Sequence, residues 1–367
     1  MSDPRVSKMA KTIVNYALKL EKGDKFLIRG SEAVIPLIKE LYKEALLVGA
    51  YPDVKLDIED LREILLKHGS DEQISYVSPI IKESIEKYDA YIRIQGSIHS
   101  NPLQSITSEK IKMNDIALTQ LVKSIGVKKL EGKMKNCLTL FPTVAGAMDA
   151  EMSLSEYEDF VYRACFIDKD DPASEWLKLK DYQSGIIAYL KDKLSIRILN
   201  EGTDLSLNVG GRIWENSCGT TNFPSGEVYT GPVETSLNGY ISYNLPTIKS
   251  GKKVDGIRLE FKDGRVINPT AKVGEDHLKA LISTDEGASF AGEFAIGTNE
   301  KVDRFTGNIL FDEKMGGTIH IALGSAYKQT GSKNESSLHW DMILDLKNGG
   351  ELYADGELFY RNGQFLF

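Results

Sequence analysis

The sequence predicts an α/β N-terminal domain with a largely parallel sheet over residues 1–193, followed by an α+β, mostly antiparallel β domain over residues 194–367. The first half alternates short apolar runs with helical stretches of ten or more residues, the pattern of strands joined by crossover helices. The texture changes near Ser195, after which short alternating runs are separated by Gly, Asn and Asp turns, the pattern of hairpin-connected sheets. A chain of 367 residues, 41% hydrophobic and 27% charged, is long enough to bury two cores and ordinary in composition for a globular protein.

Taken in order, Met9, Ile13, Val14, Ala17 and Leu20 recur at helical spacing within residues 7–21. The apolar run over 25–30 reads as a buried strand, and a helix over 34–48 closes near Gly49. Residues 53–58 form the next strand, two helical stretches follow, and 90–96 and 137–141 supply further strands. Helices near 153–167 and 174–192 close the first half. In the second half, residues 197–199, 204–209 and 256–261 alternate as strands, and one helix is expected near 276–284.

The net charge is −8 with basic residues dispersed among acids, which provides no cationic face for nucleic acid. Cys137, Cys165 and Cys218 lie far apart, an arrangement that argues against a disulfide framework or a thiolate zinc site and fits a reducing cytoplasm. The start, Met1-Ser-Asp-Pro-Arg5, runs into an amphipathic helix without an apolar signal region. No run approaches the roughly 18 apolar residues of a membrane span, so a soluble cytoplasmic protein with no membrane partner is expected. There is no H-E-x-x-H helix, nucleophile elbow, P-loop or strand-linked dinucleotide fingerprint.

The chemistry-bearing residues cluster in the second half. In a strand, residues two apart project from one face, so His339 and Asp341 aim an imidazole and a carboxylate together while Trp340, Met342 and Leu344 face a core. Upstream stand Glu227 after Ser225-Gly226, Glu293 in Ala291-Gly-Glu-Phe-Ala-Ile-Gly297, and His320 in Thr318-Ile-His-Ile-Ala-Leu-Gly324. Two imidazoles and three carboxylates suit one or two divalent first-row metals, which points to a metal-dependent hydrolase. Each residue alone has an ordinary alternative: a buried core histidine for His320, surface turns for Glu227 and Glu293. His68 and His277 are expected to be solvated surface groups, and His99 lies in a loop with no partner motif. The acidic pairs Asp312-Glu313 and Glu275-Asp276 are expected to be solvated turns.

Along nearly its whole length the chain resembles the aminopeptidase T/S family of thermophilic-type metallo-aminopeptidases. The resemblance is carried by Leu20–Gly30, Gly49–Val54, Met152–Val161, Gly202-Thr-Asp-Leu205 and Asn222-Phe-Pro-Ser-Gly-Glu-Val-Tyr-Thr-Gly-Pro232. Residues 291–297, Leu310-Phe-Asp-Glu313, 320–327 and His339-Trp-Asp341 complete the pattern in the family's order. The chain departs from that pattern in a short 327–339 segment and in the 142–148 loop, both of which bear on substrate preference.

The resemblance implies metal ligands at Glu227, Glu293, His320, His339 and Asp341, with Tyr327 beside the metals. It implies two divalent ions per subunit, a homodimer, and removal of residues from peptides with a free N-terminus. Zinc, cobalt and manganese all suit such ligation. Tyr327 is then the expected oxyanion donor, with Glu293 as first and Glu227 as second choice for general base. Two rival readings use the same residues. One is a mononuclear iron ring-cleaving dioxygenase built on His320, His339 and Asp341, and the other is a non-catalytic metal-binding protein.

Overall fold

The computed structural model describes residues 3–99, 102–103 and 105–367. The chain forms two compact units, Met1–Glu175 with Gly219–Pro224, and Trp176–Cys218 with Ser225–Phe367. Among the described residues, no helix is long and apolar enough to cross a membrane.

The first unit is built on a five-stranded sheet in the spatial order Tyr51–Asp57, Lys25–Ser31, Ala90–Gln95, Lys135–Leu140 and Asn222–Phe223. Every pairing in it is parallel, as the alternation of strands and helices predicts. The central strands bury Phe26, Ile28, Ile92 and Ile94, the continuous apolar character of strands covered on both faces. The first helix runs over Pro4–Thr12, capped by the Asp3 side chain, and continues as a π-helical turn over Ile13–Ala17. The helix Ile35–Leu47 ends before Gly49, whose φ of +82° suits a glycine at a helix exit. Leu154–Ala164 opens with a capping box between Ser153 and Glu156. A helix over Ser108–Leu130 was not anticipated, because its apolar residues spread around the helix instead of keeping one stripe.

Among the described residues, the second unit holds three antiparallel sheets, the smallest being the pair Thr247–Lys249 and Lys252–Val254. An eight-stranded sheet includes Ser195–Asn200, Thr203–Asn208, Asn238–Ser242, Arg258–Lys262 and Glu351–Ala354. A five-stranded sheet runs in the order His339–Asp345, Thr318–Gly324, Ala291–Gly297, Glu227–Thr230 and Glu215–Ser217. Both contribute to one core, with Ile196, Leu205, Ile241 and Leu259 from the first and Phe294, Ile321, Trp340 and Met342 from the second. The helix expected near 276–284 forms over Glu275–Ile282 and buries Leu278 and Ile282.

Candidate metal centre

The five-stranded sheet of the second unit has two chemically different faces. Val228, Phe294, Ile296, Ile319, Ile321, Leu323, Trp340, Met342 and Leu344 point into the core. The intervening residues share the opposite face, and the register brings the acids and histidines there. Glu227 lies opposite Gly297, Glu293 opposite Ala322, His320 opposite Ala295, His339 opposite Gly324, and Asp341 opposite Ala322. Small cross-strand partners leave room for polar side chains to converge on one point. A β-bulge between Ala291 and Glu293 re-aims Glu293, and Gly292 sits in it with no space for a Cβ, which would lie 2.3 Å from the Gly324 carbonyl oxygen.

These side chains are buried and close together. His320 Nε2 lies 3.6 Å from Glu227 Oε2, 3.7 Å from Glu293 Oε1 and 3.9 Å from Asp341 Oδ1. His339 Nε2 lies 3.4 Å from Asp341 Oδ1 and 3.5 Å from Glu293 Oε2. Such separations exceed the roughly 2.7–3.2 Å of ordinary N–H···O hydrogen bonds. They match donor atoms around a common ion, since two atoms about 2.1 Å from one centre at a near-tetrahedral angle are about 3.4 Å apart. The Oε2 of Glu227, Oδ1 of Asp341 and Nδ1 of His320 are buried without a hydrogen-bond partner among the described residues, and the first two face this space. The donor set therefore fits divalent metal. Among the described residues, three groups are close enough to hold an ion: Glu227, Glu293 and His320; Glu293, His339 and Asp341; and Glu313, His320 and Asp341.

Surrounding groups orient the ligands. His339 Nδ1 is 2.9 Å from the Ser325 carbonyl oxygen, so it donates there and leaves Nε2 as the candidate ligand atom. From behind, Lys249 donates to the His339 carbonyl, and Trp340 Nε1 donates to Thr247 Oγ1 at 3.0 Å, tying the strand to the Thr247–Lys249 strand. Tyr327 stands beside the cluster with its ring 5.4 Å from that of His339 and 5.4 Å from that of Tyr229.

The electrostatics are those of a centre short of positive charge. Burial disfavours a charged His320, yet the carboxylates of Glu293, Glu227 and Asp341 push its pKa up to about 9. Burial likewise opposes charge on His339, but Asp341 and then Glu293 push it up to about 10. Burial raises Glu293, with the Glu227 charge adding to it and the histidines opposing. For Asp341 the balance reverses: burial is outweighed by His339, His320 and Lys249, which hold it below the usual carboxylate range. Burial and the charges of Glu293, Asp341 and Glu313 push the Tyr327 phenol upward. With 42% of that residue exposed, the neighbouring anions are the weightier cause, and the phenol stays a neutral donor at neutral pH.

The acidic pair Asp312-Glu313 is not a solvated turn. Asp312 is 1% exposed and accepts from the backbone N and Oγ1 of Thr306, both at 2.8 Å. Glu313 joins the His320–Asp341 group, and burial pushes its pKa up to about 7. Asp312 ends the single-turn helix Ile309–Asp312 and Glu313 follows it, and so few residues carry no periodic signal. Lys314 was also missed, although its side chain is 2% exposed and bridges Glu227 and Glu313. His277 is half-buried, with Nε2 3.0 Å from the Lys249 carbonyl oxygen, so it is not a freely solvated group. His68 is exposed at the end of the helix Glu59–His68, as expected.

Comparison with known proteins places this geometry in context. Aminopeptidase 2 of Geobacillus stearothermophilus is 26% identical, across 100% of this chain and 98% of that protein. AmpT of Thermus thermophilus superposes with a TM-score of 0.87 at 21% identity, covering 99% of both chains. A 2,5-dihydroxypyridine dioxygenase of Pseudomonas putida shares the fold more distantly, with a TM-score of 0.59 at 12% identity over 100% of this chain and 98% of that one. The model of the thermophilic metalloprotease (M29) family matches residues 2–365. The match spans both units and all the clustered ligands, and the chain belongs to the thermophilic metalloprotease (M29) family.

Proposed function

We propose that this protein is a metal-dependent aminopeptidase that removes residues from peptides with a free N-terminus, using Glu227, Glu293, His320, His339 and Asp341 to hold two divalent ions. The observation that carries this reading is the convergence of two imidazoles and several carboxylates at spacings of 3.4–3.9 Å on one face of one sheet. Kinship with a metalloprotease family and with a relative named as an aminopeptidase supports the reaction class. Glu293, His320 and Asp341 each belong to two of the three ligand groups found among the described residues, so all three would take part in holding metal. When bound, zinc, cobalt or manganese would activate water near neutral pH, polarise the scissile carbonyl and take the free α-amine.

The chain's own residues supply the rest. The neutral Tyr327 hydroxyl donates to the oxyanion that develops on the carbonyl. Glu293, with Glu227 as the second candidate, accepts the proton of the attacking water and delivers it to the leaving amine. The iron dioxygenase reading is not favoured, because Glu227, Glu293 and Glu313 exceed what a two-histidine, one-carboxylate site needs. Three buried cysteines that form no disulfide are in keeping with a reducing compartment, and we propose a cytoplasmic homodimer.

The test is release of free amino acids by metal-loaded protein from matched peptides with free and acetylated N-termini. Cleavage of the free peptide alone is expected. Equal cleavage of both, or full activity after chelation, would overturn the assignment.

A further inference from the structure

Lys314 has no part in the chemistry above, yet its ammonium lies inside the cluster. Its side chain is 2% exposed, with Nζ 2.5 Å from Glu227 Oε1 and 2.6 Å from Glu313 Oε1. A buried ammonium is strongly disfavoured unless it is paired, and here each pairing uses a carboxylate that also belongs to a potential ligand group. The division of oxygens is visible at Glu227: Oε1 is taken by Lys314, while Oε2 has no hydrogen-bond partner and lies 3.6 Å from His320 Nε2. Glu313 engages Lys314 through Oε1 and belongs to the His320–Asp341 group. A carboxylate held this way has one oxygen left for an ion. Without the ammonium, both oxygens are free to chelate.

We propose that Lys314 is a positioning residue, a resident cation that holds Glu227 and Glu313 by one oxygen each, so that each presents a single oxygen to a divalent ion. Coordination positions that bidentate carboxylates would fill thereby stay open for water and substrate, as a catalytic metal site requires. The inference rests on the metallopeptidase reading and concerns coordination rather than turnover.

Cobalt(II) reports it directly, because its visible bands are intense at low coordination number and weak when the ion is six-coordinate. Metal-free wild-type protein, Lys314→Met and Lys314→Gln are titrated with cobalt(II), with absorption spectra, metal analysis and circular dichroism recorded for each. Wild-type protein is expected to give intense bands. Lys314→Met, similar in length and uncharged, is expected to take up the same equivalents with bands several-fold weaker. Lys314→Gln keeps an N–H donor without the charge and is expected to fall between them.

If Lys314→Met does not fold, the Gln variant and the wild-type spectrum still decide the matter. Weak wild-type bands, or unchanged bands in a folded variant, overturn the proposal. An extra equivalent of cobalt in the variant also overturns it, since Lys314 would then stand where an ion belongs. Loss of cobalt binding in a folded variant overturns it too, because the lysine would then govern affinity and not denticity. Wild-type protein that takes up no cobalt overturns the metallopeptidase reading itself, and this inference with it.

Discussion

Tyr327 sits with its ring 5.4 Å from His339, close to Glu293 and Asp341 in charge and 42% open to solvent. A core tyrosine would be sealed, whereas a hydroxyl that must meet a substrate has to be reachable. Tyr327→Phe removes the donor and keeps the ring contacts with His339 and Tyr229. The expected result is a fall in kcat of about 10²–10³ with KM and metal content little changed, because an oxyanion donor acts mainly in the transition state. Steady-state kinetics beside metal analysis checks it, and near-normal kcat would reduce Tyr327 to a packing role. His339→Ala should behave differently: its Nε2 is a candidate ligand atom, so metal occupancy itself should drop, read by metal analysis of the purified variant.

At the level of elements, the bulge around Gly292 joins local backbone geometry to the centre. A Cβ at Gly292 would lie 2.3 Å from the Gly324 carbonyl oxygen and 2.6 Å from that of Ser325, and the Ser325 carbonyl receives the His339 Nδ1–H. Gly292→Ala therefore has to displace backbone that orients the candidate ligand His339. We expect a loss of roughly 1–3 kcal/mol in unfolding free energy, the usual range for overpacking. Weaker metal binding should accompany it. Denaturant unfolding and a metal titration measure the two effects, and a variant equal to wild type in both would show that the bulge has slack. His339 and Asp341 were legible: the alternation around 339–345 placed them on one face and Trp340 and Met342 on the other, whereas His320 stood out only within an apolar strand. Glu313 and Lys314 were not, because they follow a single helical turn and reach the cluster through tertiary placement alone.

Across the molecule, all the clustered groups belong to the second unit, and Glu227, Glu293, Glu313 and Asp341 concentrate carboxylates that the histidines and Lys314 only partly offset. Such a unit should depend on metal for stability. Saturation at about 100-fold over the dissociation constant contributes about 2.7 kcal/mol for a site, provided the unfolded chain does not bind. Thermal melts with chelator and with added zinc, cobalt or manganese should show a lower Tm for the chelated protein. Identical melts with demonstrated metal uptake would place the centre outside the folding energetics.

The sequence by itself determined the change from parallel to antiparallel architecture, because strand–helix alternation and turn-punctuated alternation are local patterns set by side-chain polarity and by Gly, Asn and Asp backbone preferences. It also determined which face of the strand of His339 and Asp341 is polar, since the period of two is intrinsic to a strand. Only the tertiary structure decided that Glu227, Glu293, His320 and Asp341 meet, because cross-strand register depends on pairings between segments far apart in the chain. It alone turned Asp312-Glu313 inward and set Lys314 between two carboxylates. A buried charge is tolerated only where distant partners compensate it, and no local pattern in a sequence names those partners.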